Sequence, residues 1–317
     1  MTLALLFSPQ GSQVMGMGRE LAEHSAGARA VFEEADATLG WSVSDACWLG
    51  PADRLNDTRQ TQPCLLTVSV AALRALGERV ELEPSVVAGH SVGEYAALVA
   101  AGVLDLGAAL RLVAHRAELM ARADADGGMA AVLGLDRETV QAVVDSVGRP
   151  TDLVLANDNA PGQIVISGRL AALADAEEPL RAAGARRVVR LAVSGAFHSP
   201  MMATVAEDLA DAFAAETWRD ASVPMISNVT GEPLVDADGI RTQLAEQVRA
   251  PVEWVRSVER MAADGIETAV ECGPGSALTG MVKRIAPAIR TANVGDLAGL
   301  DTASGLIRGV ATAPASV

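Results

Sequence analysis

Short apolar runs alternate with longer segments of helical period along most of the chain. Leu3–Phe7 is wholly apolar and stops at Ser8, Pro9 and Gly11, which predicts a buried first strand running into a loop. Apolar residues at three- to four-residue spacing predict helices over Arg19–Leu39 and Leu65–Leu76. Ser85-Val86-Val87-Ala88-Gly89, after Pro84, predicts a second buried strand. Val92–Ala101 is an alanine-rich helix stopped by Gly102, and Leu106–Ala125 is another.

The character changes at Gly127-Gly128. The pattern then reads strand (Ala130–Gly134), helix (Arg137–Val147), strand (Leu153–Asn157), strand (Gln163–Gly168), helix (Leu170–Ala183) and strand (Arg187–Val193). That βαββαβ order is the signature of a ferredoxin-like unit. Beyond Pro200, Met225–Ser227 and Thr268–Glu271 read as strands, and Ile240–Gln247 and Val255–Asp264 as helices. The expectation is an α/β chain. A large, discontinuous α/β-hydrolase-like domain occupies 1–127 and 197–300, a small ferredoxin-like domain is inserted at 128–196, and a flexible tail covers 301–317.

Composition narrows the function classes. Half of the 317 residues are hydrophobic and 21% are charged, enough for a sizeable core and against global disorder. A mean hydropathy of +0.25 calls for a search for membrane spans. The longest apolar stretches, such as Tyr95–Leu104, fall short of the ~20 residues a spanning helix needs. The opening Met1–Phe7 lacks the basic flank of a signal peptide. A net charge of −15 argues against a nucleic-acid or anionic-membrane partner, which needs a broad basic face. Cys47, Cys64 and Cys272 are odd in number and widely spaced, and no spaced His/Cys ligand set occurs. No disulfide framework and no metal are expected, and a reducing cytoplasm is the expected location.

Gly89-His90-Ser91-Val92-Gly93 is a G-x-S-x-G pentapeptide between an apolar run and an uninterrupted helix. Flanking glycines permit a sharp strand-to-helix turn that lifts a serine hydroxyl out of the sheet, at the positive end of the helix. A serine there needs a base. His24 and His115 fall on polar helical stripes, and His90 is a turn neighbour that points elsewhere. Elimination leaves His198, in a loop between a strand and a helix, as the candidate base. A loop histidine satisfied by backbone groups is the competing explanation.

Arg116 stands out on the helical wheel. Arg111, His115, Glu118 and Arg122 form the outer stripe, whereas Arg116 shares the inner stripe with Leu112, Val113 and Met120. A guanidinium there cannot shed its proton and needs an anion. Either an internal Asp or Glu or the carboxylate of a substrate would serve.

Taken together, these residues resemble the malonyl-CoA:acyl carrier protein transacylase family, which includes the acyltransferases of polyketide synthesis. The resemblance runs from Phe7 to about Ile285. Phe7-Ser8-Pro9-Gln10-Gly11-Ser12-Gln13 is similar to that family's F-P-G-Q-G-S-Q, and Gly89-His90-Ser91-Val92-Gly93-Glu94 to its G-H-S-x-G-E. Arg116, Asn159–Gln163, Phe197-His198, Ser227-Asn228-Val229, Pro251–Trp254 and Gly273-Pro274-Gly275 also fall in family positions.

The resemblance implies a ping-pong transfer of malonyl from malonyl-CoA to the thiol of an acyl carrier protein, without a cofactor of its own. Ser91 would be the nucleophile and His198 the base, oriented by the backbone carbonyl of Gln247. The N–H groups of Gln10 and Val92 would form the oxyanion hole, and Arg116 would hold the malonyl carboxylate. Ser8-Pro9 stands where the family has Pro-Gly, which puts the shape of the Gln10 loop in question. Carrier proteins of this kind are acidic, so docking on a −15 enzyme needs a local basic face. Lys283-Arg284, with Arg290, and Arg186-Arg187, with Arg190, are the clusters available. The rival reading is a serine hydrolase or editing thioesterase on the same Ser–His pair, with Asp152, Asp158 or Asp175 as third member.

Phe197 bears on the acyl group. Polyketide acyltransferases that choose malonyl carry Ala-Phe-His there, as at Ala196-Phe197-His198, and those that choose methylmalonyl carry Ala-Ser-His. A phenyl ring fills the volume that an α-methyl would need. Phe197→Ser is expected to raise methylmalonyl use relative to malonyl by about 10-fold, the usual scale for one methyl. The ratio of the two kcat/KM values is the check, and an unchanged ratio removes the steric argument.

Overall fold

The computed structural model describes residues 2–123, 126–147, 151–193 and 195–309. Ten strands follow the chain among them: β1 (Leu3–Phe7), β2 (Val86–Gly89), β3 (Gly127–Leu133), β4 (Leu153–Ala160), β5 (Gln163–Arg169), β6 (Arg187–Arg190), β7 (Met225–Ile226), β8 (Pro233–Leu234), β9 (Thr268–Cys272) and β10 (Arg290–Val294). They form two sheets. One has the order β10-β9-β1-β2-β7-β8, parallel except for the β7–β8 pair. The other has the order β4-β5-β3-β6, with every neighbour antiparallel.

Both faces of the parallel sheet are covered, which is why its strands read as unbroken apolar runs rather than as alternation. On one face Leu3, Leu5, Phe7 and Val87 pack with helices Ala26–Leu39, Thr58–Arg79, Gly93–Ala100 and Leu106–Arg122. On the other, Ala4, Leu6, Val86 and Ala88 pack with Trp254, Val258, Leu278 and Val282. The antiparallel sheet is covered on one face by Val140, Val144, Leu173 and Leu180 of its two helices. Met129, Ala156 and Val165 on its other face join the large core.

Several expectations need correction. The helix read over Arg19–Leu39 is two, because Ser25 is extended (φ −129°) and its hydroxyl accepts from the Ala28 N–H to cap the second. The tail expected over 301–317 is helical through Ile307, as Leu297–Ile307 packs on β10; 310–317 lie outside the described residues. β10 has no counterpart in the pattern reading, since only its two buried residues, Ala292 and Val294, are apolar and the other three are polar. β3 begins at Gly127, and β6 ends at Arg190 rather than Val193. The predicted helix end at 124–125 and Ser194 also lie outside the described residues.

The turn from β2 into helix Gly93–Ala100 is as tight as the glycines suggested. A Cβ on Gly89 would lie 2.0 Å from the Gly93 carbonyl carbon, and one on Gly93 would lie 2.2 Å from the Phe7 carbonyl oxygen. These neighbours are backbone, of the following helix in the first case and of central strand β1 in the second, and close packing leaves them little room to yield. Gly93→Ala is expected to cost about 2 kcal/mol or more of stability in urea denaturation. Wild-type stability would show that the turn can relax.

Candidate active site

Ser91 is the apex of that turn, with a left-handed backbone (φ +53°) that is uncommon for a residue with a side chain. Asn228 holds it there. Its Oδ1 accepts from the Ser91 N–H at 2.7 Å and its Nδ2 donates to the Gly89 carbonyl at 2.6 Å. The Asn228 N–H donates to Glu94 Oε1 at 2.7 Å. Glu94 is fully buried, and burial pushes its carboxyl up to about 8 against the opposing pull of its N–H donors and of Arg116.

His198 is also left-handed (φ +59°) and its N–H donates to the Val248 carbonyl at 2.9 Å. Its Nδ1 lies 2.9 Å from the Gln247 carbonyl and 3.2 Å from that of Ala250. Both carbonyls only accept, so Nδ1 carries the proton and Nε2 presents a lone pair. Nε2 is 2.8 Å from Ser91 Oγ. Burial, with the Arg116 charge second, pushes the imidazole down to about 3. The three aspartates considered as a third member are elsewhere. Asp152 and Asp158 pair with Arg169 and Arg137, and Asp175 is exposed.

Arg116 is 1% exposed and points at the same turn. Nη2 donates to Ser91 Oγ at 3.0 Å and to Gln247 Oε1 at 2.9 Å, and Nη1 donates to Gln62 Oε1 at 2.7 Å. Among the described residues it makes no ion pair, and its buried Nε–H has no partner. Of the two partners considered for it, no internal carboxylate among the described residues contacts it directly; Glu94 lies behind the Gln247 amide.

A cavity of about 270 Å³ opens in front of Ser91. Pro9, Gln10, Gly11 and Ser12 form one wall, Ala277 and Met281 another, and Met129, Val165 and Phe197 its apolar side. Asn157 and Asn159 reach it from β4, whose register shifts twice in this stretch. His90 also lines it, but its Nε2 is bound to Asn159 Oδ1 at 2.7 Å.

The fold thus brings together Ser91, His198, Arg116, Phe197, Gln10 and Gln247. Val92 is buried one residue past Ser91, and among the described residues neither its N–H nor that of Gln10 has a hydrogen-bond partner. The Ser8-Pro9 departure does not disorder the loop: Ser12 N–H closes a turn on the Pro9 carbonyl, and Ser8 Oγ reaches Glu271 at 3.2 Å. Lys283, Arg284 and Arg187 are exposed. Arg284 is engaged with the Pro161 carbonyl and, at 2.7 Å, with Gln163 Oε1. Gln62 and the side-chain role of Asn228 escaped the sequence reading. Local pattern carried no signal for Gln62, which precedes Pro63 and the Leu65–Leu76 run read as helical; its burial shows only in the fold.

A hydroxyl on a neutral imidazole, beside a buried guanidinium and unpaired N–H groups from a helix start and from the loop after β1, is chemistry that suits serine-dependent acyl transfer. The chain belongs to the family described as acyl transferase domain, which residues 4–301 match. It is 42% identical over 297 residues to the malonyl CoA-acyl carrier protein transacylase of Bacillus subtilis, covering 93% of each chain. It is 41% identical over 284 residues to the protein of that name in Escherichia coli, covering 89% of this chain and 92% of that one. Among solved structures, the acyl-carrier-protein S-malonyltransferase of Burkholderia pseudomallei superposes with a TM-score of 0.93 at 39% identity, covering 96% of this chain and 99% of that one. A malonyl-transacylase solved in complex with its type II PKS acyl-carrier protein gives a TM-score of 0.93 at 38% identity, covering 96% and 100%.

The lowered affinity of His198 for protons has a kinetic consequence. A depressed value means that the proton binds only in stronger acid, so the imidazole stays neutral from pH 5 to 7, where an ordinary histidine titrates at about 6.5. The acid limb of kcat/KM for formation of an acyl-enzyme is expected well below pH 6. A limb with an apparent pKa near 6.5 would contradict the burial of this ring.

Proposed function

We propose that the protein transfers malonyl from malonyl-CoA to the phosphopantetheine thiol of an acyl carrier protein. The observation that carries this reading is Arg116, a buried cation that makes no ion pair among the described residues, 3.0 Å from Ser91 Oγ. Placed there, it suits an acyl group that ends in a carboxylate, and binding that end sets the thioester carbon against the serine. The relatives named above support the donor and the acceptor.

In the first half-reaction Ser91 Oγ attacks the thioester carbonyl while its proton passes to His198 Nε2. The Gln10 and Val92 N–H groups receive the oxyanion, each worth ~3–4 kcal/mol of barrier in comparable sites. The C–S bond breaks, the leaving CoA sulfur takes the proton from His198, and a malonyl-seryl ester remains. In the second half the carrier thiol gives its proton to His198 and attacks the ester. The C–O bond breaks and Ser91 regains the proton. The Gln247 carbonyl holds the ring in the required tautomer. No cofactor enters these steps.

Arg116 also separates this reading from a hydrolase, since water needs no carboxylate clamp and the imidazole lacks the acidic partner usual in hydrolases. For carrier docking, helix Ala277–Ile285 lines the cavity with Ala277 and Met281 and ends in exposed Lys283 and Arg284. Arg284 is tied to the 161–163 turn, which makes Lys283 and Arg187 the freer cations. We read 128–196 as an inserted ferredoxin-like domain, supported by its antiparallel order. The flanking segments 1–127 and 197–300, extended by helix Leu297–Ile307, form the larger α/β-hydrolase-like domain. Three buried free thiols suit a reducing cytoplasm, and among the described residues no helix is long and apolar enough to cross a membrane.

Intact-mass spectrometry with malonyl-CoA, then with a carrier protein, follows both halves. Ser91→Ala is expected to take up no malonyl; a covalent adduct on that variant would refute the assignment. Arg116→Ala is expected to lose about 100-fold in kcat/KM for malonyl-CoA, the scale of one or two charge-assisted hydrogen bonds, and to gain relative use of acetyl-CoA. Unaltered malonyl kinetics would defeat the clamp.

A further inference from the structure

We propose that Gln62 is a specificity-determining positioning residue, whose neutral amide fixes the Arg116 guanidinium and leaves its charge uncancelled for a carboxylate on the acyl group. This rests on the reading of Arg116 as the carboxylate clamp.

Gln62 lies on helix Thr58–Arg79, directly before Pro63, and is fully buried. A guanidinium only donates, so the 2.7 Å contact with Nη1 must use the amide oxygen. The amide nitrogen is thereby turned towards Gln10 Oε1 and Met120 Sδ, each at 3.5 Å. On the other side Gln247 does the same. Its oxygen faces Arg116 Nη2, and its nitrogen donates to the Ser91 carbonyl and, at 2.5 Å, to Glu94 Oε2. The guanidinium is therefore held by two amides and a hydroxyl. The other groups facing it are the Tyr95 ring, 5.9 Å from Arg116 Cζ, the His198 imidazole, and Glu94 behind the Gln247 amide.

Elsewhere this chain pairs arginines with carboxylates, as in Arg111–Glu216 and Arg137–Glu253. Glutamate at 62 would have nearly the same size and reach as glutamine. At so buried a position it would form an internal ion pair, and a substrate carboxylate would have to displace it. The amide supplies the geometry without the charge. Its nitrogen also faces the side chain of Gln10, so the same residue links the clamp to the loop at the cavity wall.

The test compares Gln62→Glu, Gln62→Met and Arg116→Ala in single-turnover acylation by malonyl-CoA and acetyl-CoA, read by intact mass. Gln62→Glu is expected to raise KM for malonyl-CoA about 10-fold or more and to cut the malonyl-over-acetyl preference about 30-fold, because it cancels the charge. Gln62→Met keeps the charge and loosens the fork. It is expected to slow acylation by both donors while holding the preference within about threefold. If Gln62→Glu does not fold, Gln62→Asp brings the same charge with one methylene less. Preference retained in the acidic variant but lost in Arg116→Ala overturns the role of Gln62 alone. Equal loss of preference in the Glu and Met variants also overturns it, since geometry and not charge would then select. Preference retained in Arg116→Ala overturns the clamp and this proposal with it.

Discussion

One buried cation, Arg116, which makes no ion pair among the described residues, organises this site. Burying a guanidinium costs several kcal/mol even after relaxation, and a carboxylate partner is the ordinary remedy. Here the partners are Gln62, Gln247 and Ser91, all neutral. The surrounding groups titrate accordingly. The Arg116 field adds to burial in keeping His198 unprotonated, and it works against burial at Glu94. A single neutral imidazole lone pair is thereby aimed at a hydroxyl that also receives a hydrogen bond from a cation. The arrangement favours negative charge arriving from outside.

Strain is the second element. Ser91 and His198 both have positive φ, and each such residue costs about 1–3 kcal/mol unless its surroundings hold it. The holders are distant in sequence. Asn228, after β7, ties Ser91 N–H to the Gly89 carbonyl, and the 247–250 segment supplies every backbone partner of the His198 ring and N–H. The Ser91–His198 pair is thus fixed by parts of the chain that meet only when the parallel sheet has formed.

The antiparallel sheet is coupled to the same point. Asn157 bridges Val252, with Val252 N–H on the Ala156 carbonyl and Asp158 N–H on that of Val252. Arg137 clamps both Asp158 and Glu253. The Glu253 N–H in turn donates to the Asn228 carbonyl at 2.7 Å. A short path of hydrogen bonds therefore joins β4, which carries Asn157 and Asn159 to the cavity, to the residue that pins the serine turn. Half-exposed Arg137 contributes modestly to stability, as partly screened ion pairs do, but it fixes the geometry of one wall.

Local sequence determined what depends on neighbours along the chain. The glycine-flanked serine turn, the inner-stripe arginine and the βαββαβ order were legible because periodicity and turn chemistry act over a few residues. Ser25 shows the limit of that signal. A single capping residue broke a helix that periodicity ran straight through, and the polar strand β10 carried no pattern of its own. The choice of His198 among four histidines needed elimination and then resemblance, because distance in space is not written in local pattern. The neutral partners of Arg116 and the Asn228 staple were decided only by tertiary structure. Their hydrogen bonds join residues 25 to 139 positions apart, and a buried glutamine or asparagine shows its purpose only when the group opposite it is known.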